Sequence, residues 1–245
     1  MIAYNKKHLE NLYIVQQAKR WFTRELISAD QMARVNQEYK TDFYTPNIFI
    51  RIGLFLFTCF AISSSYGFYW FVMATTMSYN VGDTAISFSG LLFGLILTVV
   101  LELFIRSKKL FRAGIDDALL YAALGYFGIA IGVSLSEGYM PEEDFVRSYC
   151  LISLPILVIA AIRYADTLVT LSALFCAGIL YFLLILELGE ISKAIMPFAF
   201  MVLAGVLAFL SRKYRKMDKL AVWRNCLRMA EIFSLLLLYV SCNYF

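Results

Sequence analysis

From Ile52 to Ala74 the chain runs without a single charged residue. A helix needs about 20 apolar residues to cross the hydrocarbon core of a bilayer. This stretch is therefore long enough to span, and six more follow it. They run over Ile86–Ile105, Ala118–Leu135, Ser148–Ile162, Thr167–Leu186, Ala194–Ser211 and, from Ala230, to Phe245. Lipid offers no hydrogen bonds to an open backbone, so each span is read as a helix. A transmembrane barrel is disfavoured, because its strands alternate polar and apolar residues and these runs are apolar on every side. With 61% apolar residues, 16% charged residues and a mean hydropathy of +0.70, a soluble globular enzyme and a disordered chain are both excluded. The expected fold class is all-α: a polytopic transmembrane helix bundle of about seven spans, residues 48–245, with a small N-terminal cytosolic helical hairpin, residues 1–47.

Lys and Arg set the direction of insertion. Of the 22 in the chain, 20 fall on the side of the N-terminus: eight before the first span, Arg106, Lys108, Lys109 and Arg112, then Arg163, then seven from Arg212 to Arg228. Only Arg147 and Lys193 fall on the other side, where Glu137, Glu142, Glu143 and Asp144 also cluster. This places the N-terminus in the cytoplasm. The polar start lacks the apolar core and cleavage site of a signal peptide, so the first span acts as the insertion signal and stays. Tyr66, Phe68, Tyr69 and Trp70 mark its outer end as an interfacial belt. The final apolar stretch, 16 residues from Ala230, falls short of a full crossing. It either stops in the outer interface or belongs to a longer protein, the fragment reading being preferred.

In the head, Leu12, Val15, Phe22 and Leu26 recur at helical spacing and predict one apolar face. Ser28 with Gln31 three residues on reads as a capping box opening a second helix, which shows Met32, Val35 and Tyr39 on one side. Tyr44-Thr45-Pro46-Asn47 ends it. So small a unit needs a partner surface: the protein's own inner loops, a second copy, or another protein docked on residues 1–44. The segments Leu26-Ile27-Ser28-Ala29-Asp30-Gln31, Tyr44-Thr45-Pro46 and Arg51-Ile52-Gly53-Leu54-Phe55 resemble an uncharacterised family of bacterial polytopic membrane proteins that begin with a cytosolic Leu-Ile-Ser/Gln hairpin. The resemblance covers about the first 60 residues. It implies a multi-pass protein of the bacterial cytoplasmic (inner) membrane with no assigned activity, and it carries over no catalytic residue.

Signals for chemistry are sparse. One histidine, His8, excludes a two-histidine zinc helix and a bis-histidine haem. His8 beside Lys6 and Lys7 reads as solvated. Cys59, Cys150, Cys176, Cys226 and Cys242 show no paired spacing, although Cys150 and Cys242 could meet at the outer face. Ser87-Phe88-Ser89-Gly90 lacks the leading glycine and the membrane histidine of a serine protease. Asp83 and Asp166 fall at opposite faces and cannot form an aspartyl pair. No phosphate-binding or dinucleotide glycine loop is present, so no cofactor and no metal is expected. Ionisable residues within spans are the default suspects. Glu102 faces Arg106 four residues on, and Glu231 follows Arg228 by three; the pair could line a vestibule for a proton or cation, or simply be interfacial charges. Ser63, Ser64 and Ser65 sit mid-span, where hydroxyls can bond back to the preceding turn. Ser63/Gly67, Gly90/Gly94 and Gly128/Gly132 are spaced by four and predict close helix contacts. Pro155 is expected to kink the fourth span. Arg212, Lys213, Arg215, Lys216 and Lys219 are candidate contacts for anionic lipid headgroups, and cations pinned there disfavour nucleic acid. Three functions remain open: a non-enzymatic membrane component that organises or senses partners through its head, a transporter or channel for a small solute or ion, and, last, a membrane-embedded enzyme.

A reporter fused at Glu142–Asp144 and another fused at Arg212–Lys219 should read from opposite compartments, with the basic turn on the cytoplasmic side.

Overall fold

The computed structural model describes residues 2–4, 6–40, 43–44, 46–76, 82–138 and 140–243. Nine α-helices follow one another among them: α1 Lys6–Thr23, α2 Ala29–Glu38, α3 Ile48–Thr76, α4 Asp83–Lys108, α5 Ile115–Ser136, α6 Glu142–Tyr164, α7 Thr167–Leu186, α8 Ser192–Arg215 and α9 Arg224–Cys242. A 3-10 turn, Gly189–Ile191, leads into α8, and a second, Asp218–Trp223, leads into α9. No strand occurs among the described residues beyond one isolated bridge, Tyr44 to Leu110. The helices α3 to α9 are the seven long and apolar enough to cross a membrane. The chain is an integral, multi-pass membrane protein with an all-α bundle.

Apolar runs locate the helices but not their ends. The charged residues flanking each run continue the helix, because side chains at a terminus can reach out of the hydrocarbon layer. Thus the span read as Ser148–Ile162 occupies Glu142–Tyr164, and the last, read from Ala230, begins at Arg224. The third starts at Ile115, which brings Asp116 and Asp117 into its first turn. Acidic residues open α4, α5 and α6, and basic residues close α4, α6 and α8. Each therefore complements the helix dipole.

Neighbouring helices pack most closely as the pairs α4/α5, α8/α9 and α6/α7. Gly90 and Gly94 serve the first pair: a Cβ at Gly90 would lie 3.0 Å from the Tyr126 carbonyl, and one at Gly94 would lie 2.9 Å from the Phe127 ring. Ser87 adds polar contact there, donating 2.7 Å to the Ala130 carbonyl and pairing with the Ser134 hydroxyl. The Ser87–Gly90 motif is thus a packing face. Gly128 meets the Tyr149 hydroxyl from α6. The Ser63/Gly67 spacing has no such role: nothing lies within 4 Å of a Cβ at Gly67, and Ser63, Ser64 and Ser65 are exposed on the flank of α3. Ser65 bonds back to the Ala61 carbonyl at 2.8 Å, which satisfies its hydroxyl without a neighbouring helix. Cys150 and Cys242 are both free, so no bridge joins them. Cys150 is buried, and its carbonyl accepts from the Cys176 thiol at 3.3 Å.

The head sits on the pole of the bundle that carries most of the cations. The Ala3 amide donates 3.0 Å to the Arg163 carbonyl, and Tyr44 donates 3.3 Å to the Lys109 carbonyl. The Ser28/Gln31 capping box is present, with its two bonds at 3.3 and 2.9 Å. The buried face of α1 differs from the predicted one. Leu9, Leu12 and Ala18 are buried, whereas Phe22 and Leu26 are exposed, because only the root of the hairpin reaches the bundle. His8 is half-buried with its ring edge-on to Phe43, centroids 5.9 Å apart, so it is not simply solvated.

One backbone position carries this junction. Gly114 has φ +97°, and a Cβ there would fall 2.2 Å from the Arg51 carbonyl oxygen of α3. Gly114→Ala should therefore cost about 2–3 kcal/mol or more in a reversible unfolding assay in detergent, while Gly125→Ala, open on all sides, should cost nothing measurable.

Candidate functional site

The chemistry-bearing side chains gather at the basic pole, where the loops α4–α5 and α6–α7 and the connection α8–α9 meet the head. Short turns place carboxylates at helix starts and guanidiniums at helix ends, and antiparallel packing brings start and end together. Asp116, 2% exposed, is the centre. Its carboxylate accepts from the amides of Arg112 at 2.6 Å, Ala113 at 2.8 Å and Gly114 at 3.2 Å, which organises the turn that starts α5. The Tyr4 hydroxyl donates to it from the head at 3.5 Å. Burial, reinforced by the Asp116 and Asp117 charges, pushes the Tyr4 phenol well above its ordinary range. Tyr4 thus stays a neutral donor under physiological conditions.

Around this centre, each acidic group meets a partner from another element. Asp117 takes Arg51 of α3 at 2.6 Å. Asp166 caps α7, accepting from the Leu168 and Val169 amides at 2.9 Å each, and receives the Tyr121 hydroxyl of α5 at 3.1 Å. Asp83 opens α4 at the far pole, so the separation predicted for Asp83 and Asp166 holds. Tyr4 also packs edge-on against Phe111, centroids 5.0 Å apart, and Phe43 joins them at 5.5 Å from Phe111.

The predicted local pairs are secondary to pairs across helices. Glu102 lies 3.9 Å from Arg106, but the Arg163 Nε donates to it at 2.6 Å and the Tyr164 hydroxyl at 3.0 Å, both from α6. Glu231 is bonded by Arg212 at 2.8 Å and Arg215 at 2.5 Å from α8, in place of the expected Arg228. Helical spacing allows the local contacts, but a guanidinium from a facing helix reaches a half-buried carboxylate with a shorter, better aligned bond. Glu102 and Glu231 therefore belong to two separate ion-pair clusters.

The basic run divides by its partners in the same way. Arg212 and Arg215 are committed to Glu231, whereas Lys213 and Lys216 are exposed and free to face headgroups. The Lys219 side chain lies outside the described residues. At the opposite pole Arg147 pairs with Glu187 at 2.7 Å, and Thr84 donates to Glu137 at 3.1 Å. Asp116, Asp117 and Tyr4 were not among the residues singled out above, and Asp166 and Arg51 were not read as members of this cluster. The available signal was an acidic pair, with a preceding glycine, standing among cations at the start of a span. Comparison with known proteins gives no matching family model, no matching curated protein and no matching solved structure. Among the described residues no group of three or more His, Cys, Asp or Glu side chains is arranged to hold a metal ion.

Asp116→Ala strands three amides of one turn and should cost about 3 kcal/mol of unfolding free energy. Asp116→Asn, which keeps one acceptor oxygen, should cost visibly less in the same detergent unfolding assay.

Proposed function

We propose that this chain is a non-enzymatic component of a bacterial cytoplasmic membrane, oriented with its N-terminus inside, and that its head organises a protein partner. One observation carries the reading: the hairpin is divided into a clamped root and an apolar tip. Leu9 and Leu12 are buried at the root, while Trp21, Phe22 and Leu26 at the tip are 49%, 44% and 67% exposed. None of α2 is buried. Folding does not need apolar groups at the tip of a polar hairpin, and exposed clusters of this kind mark interaction surfaces. The clamp supports the same reading, since a fixed root holds the tip in a defined place above the bundle. Cation asymmetry supports the orientation, and the resemblance of the Leu26–Gln31 and Arg51–Phe55 segments supports the bacterial membrane.

The transporter alternative finds less support. Glu102 and Glu231, its best candidates, are each neutralised by arginines of a neighbouring helix. A carboxylate held this way is poorly suited to taking up and releasing a proton.

Replacing Phe22 and Leu26 together by Glu should leave membrane insertion and thermal unfolding unchanged but abolish cross-links formed in cells from a photoreactive residue at position 21. If those cross-links join two copies of this chain, the partner is the protein itself. Cross-links that persist at full yield in the double variant overturn the docking reading. Proton-coupled flux in proteoliposomes that Glu102→Gln abolishes replaces it with a transporter.

A further inference from the structure

Midway along the spans, a cavity of about 320 Å³ lies among α5, α6 and α7. Its depth follows from the positions of its lining residues. Ser153 is twelfth of the 23 residues of α6, and Cys176 is tenth of the 20 of α7. Most of the wall is apolar, with Leu124 and Phe127 of α5 facing Phe175 and Ile179 of α7 across α6. Phe175 and Ile179 are 54% and 41% exposed, so the cavity borders a flank that faces hydrocarbon. An occupant of this space enters from the bilayer.

One polar group on the wall is left unmet. Ser153 is 8% exposed, and its buried Oγ has no hydrogen-bond partner among the described residues. Hydroxyls elsewhere in the spanning helices are met within their own helix: Thr58, Ser65, Thr98, Ser172 and Ser241 each donate to the carbonyl one turn earlier. Ser153 does not make that bond. The Cys176 thiol, on the same wall, is met by the Cys150 carbonyl at 3.3 Å. Tyr149 stands one turn before Ser153 on the same face of α6 and brings a second hydroxyl to the cavity. That hydroxyl rests against Gly128 of α5, where an added Cβ would fall 2.9 Å from it.

A hydroxyl stranded in an apolar interior is costly. A single water can bridge two hydroxyls, but the rest of so large a space is walled by apolar groups and does not suit water. A phospholipid chain would fill the space, yet it carries no polar atom at this depth. A flat, lipid-soluble ring with a carbonyl on its edge meets both demands. The rings of Phe127, Tyr149 and Phe175 supply aromatic walls, and Phe175 is itself held edge-on by Phe233, centroids 5.0 Å apart. One carbonyl oxygen has lone pairs enough for two donors. A mostly apolar pocket with a few placed polar groups is the usual form of a small-molecule site.

We propose that this cavity binds a membrane-soluble quinone, with its ring among α5, α6 and α7 and one carbonyl accepting from Ser153 and Tyr149. The proposal rests on the spanning bundle and not on the docking reading of the hairpin tip.

The full-length chain is placed in phosphatidylcholine nanodiscs, and its thermal unfolding midpoint is followed against the mole fraction of a decyl-substituted benzoquinone. Decylbenzene, a ring and chain without carbonyls, is titrated in parallel. A ligand that binds only the folded state raises the midpoint, so the quinone should raise it at mole fractions where decylbenzene does not. Ser153→Ala should weaken the quinone response about fivefold, and adding Tyr149→Phe should weaken it further. Ser172→Ala, on the same wall but with its hydroxyl already given to the Leu168 carbonyl, should change it by less than about twofold. Without quinone, Ser153→Ala should unfold no earlier than the native chain, since it removes an unmet hydroxyl; a lost response is then a loss of binding and not of folding. No midpoint rise with the quinone overturns the proposal. So does an equal rise with decylbenzene, which would make the cavity a seat for a plain hydrocarbon chain, and so does a full response in Ser153→Ala.

Discussion

A charge carried toward the hydrocarbon layer must be met by an opposite charge or by hydrogen bonds, because nothing in lipid can solvate it. The architecture of the basic pole follows from that requirement. Glu102, Asp117 and Glu231 lie near the ends of three different spans, and each is met by arginine from a different helix: Arg163, Arg51 and the pair Arg212 and Arg215. These contacts tie α4 to α6, α3 to α5 and α8 to α9. The pairing carries most weight for α3, whose membrane window is only 6% buried in the bundle. Apolar contact distinguishes poorly between a neighbouring helix and a lipid chain, so polar ties at the ends do much to set which helix stands beside which.

Asp116 extends the same logic to the head. A carboxylate at the start of a helix completes three amides of its own turn, which is a local task. The fourth bond, from Tyr4, makes it a joint between two parts of the chain. Tyr4 buries its ring among Phe43 and Phe111 while its hydroxyl reaches the carboxylate. A side chain apolar along its body and polar at its tip suits such a boundary. The head is consequently held by its first residues and by the root of α1, and its far end is left projecting with Trp21 and Leu26 in view.

The spans could be read from the residues because hydrophobic length is a property of contiguous sequence. The capping box at Ser28 and Gln31 was legible for the same reason. What escaped was everything decided between distant segments. Spacing suggests Arg106 for Glu102 and Arg228 for Glu231, since a helix brings residues three or four apart together. Packing substitutes Arg163 and Arg212, 61 and 19 residues away, and no local pattern announces them. Asp116 and Asp117 were hidden by a boundary placed at Ala118, where the apolar run begins but not the helix. The apolar face of α1 failed differently. Phe22 and Leu26 continue the heptad-like spacing, yet the surface they would need to pack on ends before reaching them.

The double-mutant cycle at Arg51 and Asp117 tests the central claim most directly. Unfolding free energies in detergent are compared for Arg51→Ala, Asp117→Ala and the double variant. If the pair ties α3 to α5, each single change strands a charge, and the double variant should lose less than the two singles together, by about 1 kcal/mol or more. Strict additivity would contradict the account, for it would mean that the two residues, 2.6 Å apart, stabilise the bundle independently and that the helices are arranged by something other than these charges.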